Sequence, residues 1–273
     1  MTALAARPQI LVRKPVFDFN AQIAEFWFDH DPLRTSLLMA LSAGFPDGER
    51  FFIESVRRFQ SQVTDPQLQQ DIRNFIGQEA HHAKAHQDLN AFFTQRGYPI
   101  DLIEANIGRL LRFFSKNLSP ERQLAHTVAV EHFTALLSER YMLDPVVLNS
   151  MAPEMAQIWA WHAAEEYEHK SVAFDLYRAT VNNEWIRLSQ MGVLTVLFLT
   201  FTSIDTVRVL RRTGHAGDIR MWLKNINLMW GVPGVFRKMI PNYLDYFRRD
   251  FHPSQHNFDA RLDTVKQQFL SEL

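Results

Sequence analysis

With 273 residues, 47% hydrophobic content and only ten glycines, the chain is long enough for one large domain with an appendage, and its composition favours packed helices over loops. Its 29 basic and 30 acidic side chains nearly cancel, which removes the electrostatic case for nucleic acid or an acidic partner. Without cysteine there is no disulfide and no thiolate ligand, so any bound metal must sit on Glu, Asp and His, a set suited to iron, manganese or zinc.

Residues 1–31 are expected to form an extended arm, because Pro8, Pro15 and the alternation Val16-Phe17-Asp18-Phe19 disfavour a long helix. No charged-then-apolar leader occurs between Met1 and Asn20, which points to a cytoplasmic protein. A helical pattern runs from about Pro32 to Gln62, with a break or kink expected at Gly44-Phe45-Pro46-Asp47-Gly48 before a restart at Glu49. Thr64-Asp65-Pro66 supplies a turn and an N-cap for a second long helix to about Arg96, closed by Gly97-Tyr98-Pro99. A crossover helix is expected around Leu102 to Asn117. Ser119-Pro120-Glu121-Arg122 places Pro at the first position of a third long helix, which ends near Asp144-Pro145. The fourth begins at Ala152-Pro153-Glu154 and continues to about Asn182. Residues 32–183 are therefore expected to form a four-helix bundle, with 184–273 as a helical extension packed on it.

That extension contains Leu188 to Ile204, a run without formal charge near the lower bound of about 17 residues for crossing a bilayer. Its threonines and the flanking Arg187 and Asp205 favour burial against the bundle or in a homodimer interface. Peripheral membrane contact is the alternative, with basic residues between Arg208 and Arg249 available to anionic headgroups or a fatty carboxylate. His252-Pro253-Ser254-Gln255-His256 reads as a surface loop. The absence of a glycine-rich phosphate loop and of a G-x-S-x-G elbow argues against nucleotide and serine-hydrolase chemistry.

One pattern occurs twice: a glutamate on an apolar helical stripe, then a Glu-x-x-His on the next long helix but one element of turn away. The copies are Glu49 with Glu79-Ala80-His81-His82, and Glu131 with Glu166-Tyr167-Glu168-His169. Thirty positions separate Glu49 from Glu79 with the midpoint at Thr64, inside a turn, so equal rises of about 1.5 Å per residue bring both acids to one level. For Glu131 and Glu166 the midpoint falls near Leu148 and Asn149, inside the second loop. Phase agrees, since Glu49 shares a stripe with Phe52, Ile53 and Val56, whereas Glu54 shares one with Arg57, Arg58 and Ser61. Unpaired buried carboxylates cost several kcal/mol each and repel one another, so four of them in a core imply cations between them. Glu, Glu-x-x-His, Glu, Glu-x-x-His is the set a four-helix bundle uses to hold two metal ions. His162, one turn before Glu166, is either a third histidine ligand or a core histidine supported by an outer carboxylate; His86, one turn after His82, poses the same question and ranks second.

The chain resembles the bacterial ferritin-like family labelled predicted metal-dependent hydrolases. The resemblance is carried by Arg13-Lys14-Pro15-Val16-Phe17-Asp18-Phe19, Phe45-Pro46-Asp47-Gly48-Glu49-Arg50-Phe51-Phe52, Phe75-Ile76-Gly77-Gln78-Glu79-Ala80-His81-His82 and Glu165-Glu166-Tyr167-Glu168-His169-Lys170. Locally, His162, Glu166 and His169 are similar to the triplet of di-iron arylamine N-oxygenases. The resemblance implies an all-α, ferritin-like four-helix bundle in which Glu49, Glu79, His82, Glu131, His162, Glu166 and His169 hold two ions, most readily iron, and carry the chemistry. The expected reaction is O₂-dependent oxidation of a small or lipid-like organic substrate with an unidentified electron donor, and Tyr167 or Tyr141 is expected nearby. The alternatives are a metal-dependent hydrolase that activates water on the same ligands, and a non-catalytic, membrane-associated metal-binding protein.

Overall fold

The computed structural model describes residues 10–19, 22–232 and 234–271. Residues 1–9, 20 and 21 of the expected arm and 272–273 of the expected extension lie outside them. The protein is all-α, and among the described residues the only bridge pairs Phe28 with Met151.

Helix starts follow local capping chemistry. Asp31 accepts from the backbone N–H groups of Leu33 and Arg34 ahead of α1 (Pro32–Gln60), and Asp65 accepts from Leu68 ahead of α2 (Pro66–Gln95). After α3 (Ile100–Asn117), Ser119 caps α4 (Pro120–Leu137), which continues into a π-helical turn, Ser138–Met142. Then follow α5 (Pro145–Leu148), α6 (Pro153–His169), α7 (Val172–Thr180), α8 (Glu184–Arg212), α9 (Ile219–Trp230), α10 (Val235–Asp245) and α11 (Asp259–Phe269).

Two expected boundaries differ. At Gly44 to Gly48, where a break or kink is expected, the helix is not broken, and α1 continues past Pro46. Proline leaves the carbonyl four residues earlier without its donor. Here that carbonyl is Ser42 O, and the Asn90 side-chain amide donates to it at 3.0 Å, so α2 repairs the gap in α1. The fourth helix, expected to be continuous to Asn182, is instead interrupted between α6 and α7 at Lys170 and Ser171. There Lys170 turns inward, its Nζ donating to Glu139 Oε1 and His256 O at 2.6 Å each.

α1 packs along α2, α3, α4 and α8, while α2 and α4 both contact α6 and α7. The core is divided into two apolar clusters. One gathers Leu38 and Met39 of α1, Leu89 and Phe93 of α2 and Ile158 and Trp161 of α6; the other gathers Val56, Ile72, Leu124, Val128, Ala173 and Leu176. On α1, on α2 and along α6 to α7, the chain passes from one cluster to the other through the polar residues singled out above. The acids thus lie between two hydrophobic plugs.

Residues 10–19 of the arm form no helix and cross α2, whereas the chain from Glu25 to His30 turns, with Asp29 and His30 at positive φ. Asn74 Nδ2 donates to Ile10 O at 3.0 Å and Gln78 Nε2 to Leu11 O at 3.1 Å. Val12 rests on Gly77, where a Cβ would come within 2.9 Å of its methyl group, so no larger residue fits without displacing the arm. The His252 to His256 segment is no free surface loop: His252 Nε2 pairs with Asp175 Oδ1 at 2.8 Å, and His256 Nε2 with Asp245 Oδ2 at 3.0 Å.

Helix α8 lies against α1 and α4 with Arg187 and Asp205 buried, but its burial is one-sided, and Val193, Val196 and Leu199 are exposed. By length and composition it is long and apolar enough to cross a membrane.

Candidate metal centre

The structure brings Glu49 (α1), Glu79 and His82 (α2), Glu131 (α4), and His162, Glu166 and His169 (α6) together, all of them buried. Two groups have ligand atoms within 4.8 Å of one another: Glu49 with His82 and His162, and Glu79 with Glu166 and His169. Glu166 Oε1 joins them, lying 3.4 Å from His162 Nε2, 3.4 Å from His169 Nε2 and 3.6 Å from His82 Nδ1. Glu131 belongs on the second side, with Oε2 3.4 Å from His169 Nε2, and Glu79 Oε1 is 3.2 Å from the same nitrogen.

Hydrogen bonding supplies the test of whether cations fit. Both carboxylate oxygens of Glu49, Glu79 and Glu131, with Glu166 Oε2, His82 Nδ1 and His169 Nε2, are buried with no hydrogen-bond partner. Buried polar atoms are rarely left so, and a cluster of acceptors facing one another calls for cations rather than for donors the chain lacks. The oxygen and imidazole donor set suits two divalent ions.

Each histidine is anchored through one ring nitrogen and presents the other. His82 Nε2 pairs with Glu165 Oε2 at 3.1 Å, which leaves Nδ1 facing the acids. His169 Nδ1 meets Gln78 Oε1 at 3.0 Å; because the Gln78 amide nitrogen is committed to Leu11 O and Glu168 Oε2, its oxygen must accept, and His169 Nε2 is the atom turned to the acids. His162 Nδ1 meets His86 Nε2 at 2.9 Å, and His86 Nδ1 meets Ser42 Oγ at 2.9 Å. Ser42 Oγ already donates to Asn90 Oδ1 at 2.7 Å, so it accepts from His86, which in turn accepts from His162. This chain fixes the His162 tautomer with Nε2 free. His86 therefore supports His162, and both of its own nitrogens are engaged.

The supporting acids are held by Arg13 of the arm, 3.0 Å from Glu165 Oε1 and 2.8 Å from Glu168 Oε1, and Lys266 of α11 reaches Glu168 at 2.7 Å. Arg13, Gln78, Glu165 and Glu168 were not singled out from sequence as supports. A signal was present: Gln78 precedes Glu79, Glu165 precedes Glu166 and Glu168 precedes His169, which turns each support onto the face beside a ligand.

Electrostatics match this arrangement. Burial, then the neighbouring Glu166 and Glu131 carboxylates, push Glu49 and Glu79 well above the usual carboxylate range, and burial with Glu166 pushes Glu131 up to about 8. Burial lowers His82 and His162 to about 3, keeping them in the neutral form that binds metal. His169 resists burial, because Glu166 and Glu131 raise it to about 9; burial of Glu166 is likewise outweighed by His169, which draws it down to about 2. Proton and cation compete for these acids.

Of the two tyrosines expected nearby, Tyr167 turns away from the ligands. Tyr167 points to α11, donating to Asp259 Oδ1 at 2.7 Å and accepting from Phe258 N at 2.8 Å. Tyr141, in the π-helical turn, lines a cavity of about 420 Å³ whose inner end is formed by Glu166 and His162 and whose walls are almost wholly apolar. A smaller cavity of about 150 Å³, reaching Glu49 and His126, shares those two residues. The larger falls within the usual range for a small-molecule site, roughly 300–1,000 Å³.

An all-α core with two buried groups of candidate metal ligands that both reach a cavity defines the site. Residues 11–257 match the family described as predicted metal-dependent hydrolase, and the chain belongs to that family. No curated protein and no solved structure matches it.

Proposed function

We propose that the protein is a dinuclear metal-dependent hydrolase acting on a slim, largely apolar substrate. The observation that carries this reading is the pair of ligand groups, with their orphaned carboxylate oxygens, at the inner end of the apolar cavity in a member of a metal-dependent hydrolase family. Glu49, His82 and His162 would hold one ion, and Glu79, Glu131 and His169 the other, with Glu166 facing both. Bound there, two divalent cations would polarise a carbonyl or phosphoryl oxygen and lower the pKa of water. The chain's own part is to keep three imidazoles neutral or paired, to aim their free nitrogens, and to place Glu166 where substrate arrives. The cavity walls exclude bulk water and select for apolar groups.

A second reading, O₂-dependent oxidation at two irons, is favoured by the carboxylate-rich set and by walls that admit O₂ and slim organic molecules readily. The ferritin-like family resemblance, and that of His162, Glu166 and His169 to arylamine N-oxygenases, point the same way. One experiment separates the two. Metal-free protein is loaded with Zn(II), Mn(II) or Fe(II) and assayed on ester, amide and phosphoester panels, and the Fe(II) form is then exposed to O₂ with absorption recorded. Hydrolysis that needs metal and ignores O₂ supports the first reading; O₂ consumption with a transient visible band and no hydrolysis with any metal replaces it with the second.

A further inference from the structure

The larger cavity has an outer end as well as an inner one. Among its lining residues, Leu199 and Ser203 of α8, Trp230 of α9 and Ile240 of α10 are exposed, so it opens where these three helices meet the surface. The surface around that opening is apolar in a regular way. On α9, Ile219, Leu223, Ile226 and Trp230 recur at three-to-four spacing and are 66%, 61%, 52% and 51% exposed. On α10, Ile240 and Leu244 do the same, with Phe247 in the turn just beyond it, and on α8, Val193, Val196 and Leu199. Single exposed apolar residues are ordinary, but three adjoining helices with apolar stripes around one opening form a patch of the kind that marks an interaction site.

Charge says what covers it. From Ile219 to Leu244 there is no acidic residue, whereas Arg220, Lys224, Arg237 and Lys238 are basic, in a chain whose overall charge is −1. Arg220, Arg237 and Lys238 are exposed, and none of the three has an ion pair among the described residues. Arg220 follows a residue of the α9 stripe, as does Lys224, which is paired with Asp31 at 3.1 Å, and Arg237 stands one turn before Ile240. Apolar stripes bordered by unneutralised basic groups suit helices lying in the interface of an anionic membrane. A second copy is a poorer occupant, because a two-fold contact through this face would set like charges against one another. The packing of α8 on α1 and α4 and its buried Arg187 and Asp205 argue against crossing the bilayer.

We infer that the face formed by α8, α9 and α10 docks on anionic lipid bilayers, so that the cavity mouth faces the acyl region and the substrate is a lipid-soluble molecule drawn from it. The substrate part rests on the reading of the cavity as the access route to the metal centre; the docking part does not.

The test is co-sedimentation of the metal-loaded full chain with vesicles of phosphatidylcholine alone or mixed with phosphatidylglycerol, at low and raised salt. Expected is pelleting with the anionic vesicles that weakens with salt, with a blue shift of tryptophan fluorescence. Replacing exposed Leu223 and Ile226 together by Glu should lower partitioning at least about tenfold, with metal content and circular dichroism unchanged. Failure to pellet with anionic vesicles, equal pelleting of wild type and L223E/I226E, or a concentration-dependent dimer that this variant dissociates would each overturn the inference. Since sedimentation is scored without turnover, a failed hydrolase assay leaves its result intact.

Discussion

The two flanks of the metal centre are built by opposite rules. Toward the arm and α11, the ligands are held by paired polar groups: Arg13 holds Glu165 and Glu168, which hold His82 and, through Gln78, His169. Toward α8, α9 and α10 the walls are largely apolar, with scattered hydroxyls such as Thr202 and Thr206, and Glu166 and His162 stand at their inner end. The first flank fixes which nitrogen His82 and His169 offer, and the second decides what can reach them. Because separate residues do these jobs, metal affinity and substrate access should respond to different substitutions.

The largest effect is expected where the flanks meet. Glu166→Ala removes the acid facing all three histidines and should abolish metal retention, and Glu131→Ala should lose metal from the His169 side; full occupancy by elemental analysis in either variant removes that residue from the ligand set. On the polar flank, Arg13→Met or Gln78→Leu should weaken metal binding by about 10–100-fold, as loss of a group orienting a ligand does. Activity in those variants should return with excess metal, and unchanged affinity by competition with a chelator would erase the distinction between the flanks. On the apolar flank, Thr202→Trp fills part of the cavity and should raise KM by roughly tenfold with metal content unaltered. A fall in metal content instead would show that the two flanks are coupled.

The smallest effect concerns His126, whose ring meets Phe51 and Phe114 beside the smaller cavity and whose Nδ1 has no partner. Burial lowers it to about 4 from 6.5, so the unfolded chain binds its proton more readily than the folded one. Stability is therefore lost as pH falls through 6.5, by about 1 kcal/mol down to a pH of about 5.5. His126→Leu should flatten that part of the stability curve in urea titrations, and an unchanged slope would mean that the apolar flank is wetter than its lining suggests.

Much of the fold was legible because helix capping and periodicity are local. Asp31, Asp65 and Ser119 cap as their types dictate, and the equal-rise argument puts Glu49 level with Glu79 and Glu131 level with Glu166, all four of which are buried in one cluster. What escaped depends on partners distant in the chain. Pro46 looks like a helix breaker until Asn90 is seen to satisfy the carbonyl it frees, and the interruption after His169 follows from Lys170 meeting Glu139 and His256. Arg13 could not be connected with Glu165 and Glu168 by any periodicity, since an extended arm carries it there. The role of His86 was open for the same reason: spacing puts it on the ligand stripe, but only Ser42 and Asn90 decide that its nitrogens are already engaged.

Pro46 carries a further consequence. By withholding a donor from its own helix it commits the Asn90 amide to Ser42 O, and with that amide held, the Asn90 oxygen faces the Ser42 hydroxyl and sets its direction. The direction passes through His86 to the imidazole of His162. A ring that can offer nothing of its own thus selects, along a wire of side chains between two helices, the atom on which a distant histidine keeps its hydrogen. An alanine at this position would restore an ordinary turn of helix and give that wire a second way to be polarised.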